Sequence, residues 1–125
     1  MTKLYLEATK FTPEVLLDPD AKSIKFTGKS YPENTFAFYE PIVEWLRGFF
    51  EDPKNSVVVE FDISYFNSSS SKLFFDLFDI FEEAVNNGSK LAIKWIYDSE
   101  NDTAKEAGED FKDDFEELDF ALVEK

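Results

Sequence analysis

The run SVVVEFDI, residues 56–63, constrains this chain more than any other stretch. β-Branched and aromatic residues follow one another almost without a break, the pattern of a strand buried on both faces. A second helical pattern follows directly. From about Ser69 to Asn87 the residues Leu73, Phe74, Leu77, Phe81, Ala84 and Val85 fall on one arc, and Asn-Asn-Gly closes it with Gly88 at the C-terminal cap.

The rest of the chain repeats the alternation. LYLEAT and KSIKFTG read as two short strands, and FTPEVLLDPDA between them carries two prolines and a turn-like DPD. The second of these strands is expected to end at Gly28, with SYPEN as a loop and Asn34 as a helix cap. From Thr35 to about Asp52, Phe38, Ile42, Trp45, Leu46 and Phe49 recur at helical spacing. Pro41 is awkward there: either the main helix begins near Glu40, or its hydrogen-bond ladder is kinked. KLAIKWIYD is a further strand, NDTAKEAGEDFKDDFEE an acidic helix capped by Asn101 or Asp102, and DFALVE a last strand. The expected order is β-β-α-β-α-β-α-β. Strands alternating with helices imply right-handed crossovers, so the expectation is one α/β domain over residues 1–125 with helices packed on a mostly parallel or mixed sheet.

Composition narrows the function. With 125 residues, 43% of them hydrophobic and 15 of them Phe, the chain can bury one core. No apolar run approaches the roughly 18 residues that span a bilayer, and MTKLYLEATK lacks the layout of a signal peptide. Cysteine is absent, which removes disulfides and thiolate metal sites and fits a cytoplasmic location. Histidine is absent too, which removes Ser-His-Asp and Cys-His catalysis, His-ligated zinc and the usual general base near neutral pH. Enzymatic readings lose most of their ground, and neither a cofactor nor a metal is called for. A net charge of −14 repels phosphate backbones and anionic lipid, so nucleic acid and membrane are poor partners, and a protein or small cationic partner fits better. Solubility alone explains such acidity equally well.

Between the buried run and the second helix lies SYFNSSSSK, residues 64–72. The first amides of a helix have no partners within it and accept side-chain oxygens or anions. Asn67, Ser68 or Ser69 would serve as the cap, but one cap needs only one such residue. The surplus of hydroxyls, at the sheet edge where open α/β folds commonly meet their partners, reads as a phosphorylation site. A phosphoryl group on Ser68 would add about −1.5 to −2 charge where the helix dipole favours anions, with Lys72 in reach and Ser70 and Ser71 beside it. Its effect would fall on whatever docks at that edge.

The blocks SYPEN, EPIVEWL, YFNSSSSK, DLFDIFEE, KWIYD and EAGEDF resemble, in order, blocks of the SiaC-like family of bacterial regulatory phosphoproteins. The resemblance runs from about Ser30 to the last strand. It implies a STAS-like, or anti-anti-sigma-like, fold and a partner-switching system. In such a system a dedicated protein kinase adds the phosphate, a PP2C-type phosphatase removes it, and the unphosphorylated protein binds and activates a diguanylate cyclase, raising cyclic di-GMP. The family's asparagine-then-phosphothreonine matches Asn67-Ser68, with Ser in place of Thr. Alignment with anti-anti-sigma factors places the phosphosite one residue later, which makes Ser69 the alternative.

Other residues stand out less sharply. Phe75 falls opposite the apolar arc of the second helix, among Asp79, Glu82 and Asn86, and is expected to be more than a third exposed as a partner anchor. Phe78 sits at the border of the arc, where a neighbouring element usually covers an aromatic, and Tyr31 in SYPEN either meets a partner or shapes the turn. The stretch from Asp98 to Asp119 is dense in carboxylates, with Lys105 and Lys112 as counter-charges. Such a run is usually a solvated face, and it would also steer a basic partner. DSEND lacks the glycine and terminal glutamate of a calcium loop. Asp62, Asp76 and Asp79 flank the serines without a spacing that fixes a metal or catalytic pair. The rival function is a small-ligand or anion-binding domain that uses the same helix N-terminus, against which stands the lack of a Gly-rich phosphate loop. A structural adaptor with no switch is the third.

Overall fold

The computed structural model describes residues 1–125. The elements run β1 (Leu4–Leu6), β2 (Glu14–Asp18), β3 (Ser23–Ser30), α1 (Thr35–Phe49), β4 (Ser56–Phe66), α2 (Ser68–Asn86), β5 (Lys90–Tyr97), α3 (Asp102–Asp114) and β6 (Asp119–Glu124). All six strands form one sheet in sequence order. β1, β2 and β3 pair antiparallel, and β3 through β6 pair parallel. The fold is the mixed α/β class expected, with one more strand.

That extra strand is β2. Pro13 and Pro19 bound EVLLD rather than break it, because a proline just outside a strand removes no ladder hydrogen bond. Val15 and Leu17 point inward and pair with Phe26 and Ile24 of β3.

Three successive parallel crossovers in strand order place α1, α2 and α3 on the same face of the sheet, given their right-handed sense. This corrects the reading of β4 as buried on both faces. Val57, Val59, Phe61 and Ile63 are buried under the helices, whereas Val58 on the other face is 40% exposed. The outer face carries a register row of Tyr5, Leu16, Lys25, Glu60, Lys94 and Ala121.

The inner face and all three helices share one apolar cluster. Phe61 lies at its middle, stacked on Phe26 at 4.7 Å and on Trp95 at 5.7 Å, with Phe74 and Phe78 against it at 5.5 and 5.2 Å. Offset and edge-on aromatic pairs of this kind add about 0.5–1.5 kcal/mol each beyond their buried area.

Pro41 lies inside α1 without ending it. The carbonyl it fails to engage is that of Ala37, on the exposed side, where water can bond it. α1 therefore begins at Thr35, capped by Asn34, whose side chain accepts from the Ala37 amide at 3.0 Å. Its buried stripe is Tyr39, Ile42, Leu46 and Phe49.

Candidate functional site

β4, which leads into the serine run, and its parallel neighbour β3 both extend further than their sequences suggested: β3 to Ser30 and β4 to Phe66. Their register slips once. Gly28 pairs with Ile63 but Lys29 pairs with Tyr65, so Ser64 is an extra residue on β4. Such a bulge reverses which face the following side chains take. Here it turns Tyr65 out and Phe66 in, and Phe66 packs on Phe74 at 5.2 Å and on Trp95 at 6.0 Å. Two bonds hold the bulge: Ser64 Oγ donates to the Gly28 carbonyl at 3.3 Å, and the Asn101 side-chain Nδ2 donates to the Ser64 carbonyl at 2.9 Å. Asn101 is also the cap of α3, so the bulge in β4 and the start of α3 are tied together.

The chain then passes straight into α2. The Asn67 amide donates to the Ser30 carbonyl at 3.1 Å. The Asn67 side chain caps the helix, accepting from the Ser70 amide at 2.9 Å. Among the residues able to cap, Asn67 does so, which leaves the serine hydroxyls free for other work. Replacing Asn67 by Ala is expected to cost about 1 kcal/mol, read from a lower urea midpoint at unchanged slope.

The serines are not equivalent. Ser68 and Ser69 are exposed, Ser71 is half-buried, and Ser70 is fully buried. Ser70 Oγ lies 2.8 Å from Ser30 Oγ, which lies 2.7 Å from the Tyr39 hydroxyl. Burial pushes the Tyr39 phenol well above its ordinary range, and the Ser30 bond opposes this only in part. Tyr39 therefore stays neutral, and three hydroxyls on β3, α1 and α2 form a closed chain inside the protein.

Lys72 is exposed and shares an open depression of about 640 Å³ with Ser69, Leu73 and the start of α1 at Glu33, Asn34, Thr35 and Phe36. Neither α1 nor α2 has an acidic residue in its first turn. Two helix N-termini thus open on one depression, with Glu33, just ahead of the Asn34 cap, and Lys72 as the charged side chains lining it. From there a groove of about 380 Å³ runs between α1 and α2, with Phe36, Val43, Leu73 and Ile80 among its apolar lining and Glu40, Glu44, Asp76, Asp79 and Glu83 along it.

The remaining candidates separate. Phe75 is 42% exposed, and its ring leans on Phe115 at 4.8 Å. Phe78 is fully buried against Phe61, Phe111, Phe115 and Phe120, so it cannot anchor a partner in this state. The covering element is α3 with the start of β6. Tyr31 is half-buried between exposed Phe11 and exposed Tyr65, edge-on to each at 5.4 and 5.5 Å. Asp62 pairs with Lys125 at 2.8 Å, away from Asp76 and Asp79 in the groove. No group of three or more carboxylates is placed to hold a metal ion, and no helix is long and apolar enough to cross a membrane.

Residues 6–125 match the family model of the SiaC family regulatory phosphoproteins. The chain belongs to that family. It is 31% identical over 114 residues to an uncharacterized protein of Pseudomonas aeruginosa (strain UCBPP-PA14), covering 91% of this chain and 90% of the relative. It superposes on apo-SiaC of Pseudomonas aeruginosa with a TM-score of 0.85 at 26% identity, over 100% of this chain and 99% of that one. A third likeness is to the crystal structure of the diguanylate cyclase SiaD in complex with its activator SiaC from the same species. There the TM-score is 0.87 at 29% identity, over 97% of both chains.

For a SiaC family protein the residues that sequence reasoning passed over are Ser30 and Tyr39. Tyr39 was within reach, because Tyr39, Ile42, Leu46 and Phe49 keep a stricter helical spacing than the arc begun at Phe38. Ser30 carries no sequence signal of its own.

Proposed function

We propose that this chain is a non-enzymatic, single-domain regulatory phosphoprotein in a partner-switching system, with Ser68 as phosphoacceptor and a diguanylate cyclase as the partner it activates when unphosphorylated. One observation carries the reading. Two serines, Ser68 and Ser69, stand exposed on the first turn of α2, which has no acidic residue of its own, and Ser69 shares a depression with Lys72. A dianionic group there gains from the helix dipole and from Lys72, so phosphorylation alters the docking edge without melting α2. The activator role of SiaC toward SiaD, in a relative of the same fold and length, makes a cyclase the natural partner.

Docking uses the rim around Ser68, with exposed Phe36, Phe75 and the Tyr31 cluster as apolar contacts. The carboxylates of the α1–α2 groove favour a basic surface opposite. The small-ligand reading finds less support, because no Gly-rich phosphate loop precedes α2.

Incubation with the dedicated protein kinase of such a system and ATP, followed by mass spectrometry, is expected to place phosphate on Ser68. Loss of the signal in Ser68→Ala confirms that position, and transfer to Ser69 identifies the neighbour as the acceptor. Phosphate found only outside residues 67–71 overturns the site. A PP2C-type phosphatase is expected to remove it.

A further inference from the structure

A first turn built from serines is intrinsically weak. Serine hydroxyls compete with the helix for backbone partners, and the first amides lack intrahelical acceptors. The turn Ser68–Ser71 should therefore fray, and fraying would expose all four hydroxyls alike. In the structure they are held apart, two outside and one fully buried. The contacts that hold them converge on one residue outside the helix. The Ser30 carbonyl accepts from the Asn67 amide at 3.1 Å, and the Ser30 hydroxyl bonds Ser70 at 2.8 Å and Tyr39 at 2.7 Å. Ser30 is itself fully buried at the end of β3, beyond the bulge that brings it level with Phe66.

We infer that Ser30 is a positioning residue for the phosphoacceptor: with Tyr39 and Ser70 it clamps the first turn of α2, so that only Ser68 and Ser69 are presented for modification. The inference rests on the phosphoacceptor reading for its purpose but not for its mechanics. The clamp works from both ends. Asn67 is fixed through its backbone before the helix starts, and Ser70 through its side chain one turn in, so the acceptor positions between them have no freedom to turn inward. Tyr39 keeps the Ser30 hydroxyl aimed by occupying its other side. It also links the clamp to α1, whose N-terminus lines the same depression as Ser69.

Two variants test the clamp by amide hydrogen exchange in the full chain. Ser30→Ala removes the centre of the hydroxyl chain. Ser70→Ala removes only its far end and installs the best helix former in the turn. Helix propensity alone predicts slower exchange in Ser70→Ala, whereas the clamp predicts faster exchange. The expected result in both is exchange about five- to tenfold faster at the backbone amides of positions 70 and 71, with Leu77–Ala84 unchanged. Exchange unchanged at those amides, or raised equally along all of α2, overturns the inference. Should Ser30→Ala fail to fold, Ser70→Ala decides alone, since it leaves the Ser30–Tyr39 pair intact. A second readout uses the dedicated protein kinase with ATP: Ser30→Ala is expected to spread phosphate onto Ser70 and Ser71, and confinement to Ser68 and Ser69 overturns the clamp. If the wild-type protein takes no phosphate at residues 67–71, the functional reading fails while the exchange measurement still decides the clamp.

Discussion

Gly108→Ala is expected to destabilise the protein by about 2–3 kcal/mol, although alanine is the better helix former by about 1 kcal/mol. Gly108 lies inside α3, and its helix backbone presses directly on β5 and β6. A Cβ built there would overlap Trp95 Cδ1 and would meet Leu122 Cδ2 at 2.6 Å and Trp95 Nε1 at 2.8 Å. The leucine methyl can rotate away, but the indole cannot. Trp95 is fully buried, its Nε1–H donates to the Ala104 carbonyl at 2.9 Å, and Phe61 and Phe111 lie against it at 5.7 and 5.4 Å. Relief must come from lifting α3, which loosens Phe111 and Phe115 over Phe78. Urea unfolding followed by far-UV circular dichroism should show a lower midpoint at unchanged slope. A variant as stable as the parent would mean that α3 rides more loosely on the sheet than these distances allow. The same contact couples KWIYD to EAGEDF in this chain: the tryptophan of one leaves room only for the glycine of the other.

The sequence made the layers legible and the sheet's details less so. The parallel part was plain because apolar β-branched runs at β4 and β5 alternate with segments of helical apolar spacing. β2 was hidden by its own flanking prolines, which mark turns in most contexts and here merely delimit five paired residues. VVVEFDI looked buried on both faces because three adjacent valines mask the alternation that EFDI already shows. Val58, at the outer face, is one apolar residue among Lys25, Glu60 and Lys94, so local composition outweighed position. At the candidate site the helix cap and the exposed serines were legible from local chemistry alone. The bulge at Ser64 was not. It adds one residue to the count and thereby decides that Phe66 faces the core, a relation between β3 and β4 that neither segment reveals by itself. Phe75 and Phe78 show the same limit. Helical phase correctly separated the outward ring from the bordering one, but which of them is covered depends on where Phe111 and Phe115 of a later segment arrive.

Ser68→Asp is expected to weaken binding to the cognate diguanylate cyclase by about 1–3 kcal/mol, a loss of roughly five- to 150-fold in affinity by isothermal titration calorimetry. Ser68→Ala should bind as the unmodified protein does and no longer respond to kinase and ATP. The aspartate carries about −1 where a phosphoryl group carries about −1.5 to −2, so full phosphorylation should act more strongly than the mimic. Stability supplies the control that separates a switch from damage. Ser68 is the first residue of α2, after the Asn67 cap, and a negative charge there interacts favourably with the helix dipole by about 0.3–1 kcal/mol. Ser68→Asp should therefore raise the unfolding free energy while lowering affinity. Misfolding would lower both, and a residue remote from the interface would leave affinity alone. Opposite signs in the two measurements are what a charge at the mouth of α2 must produce if it acts on the partner and not on the fold. High salt should shrink both effects together, since both arise from the same exposed charge.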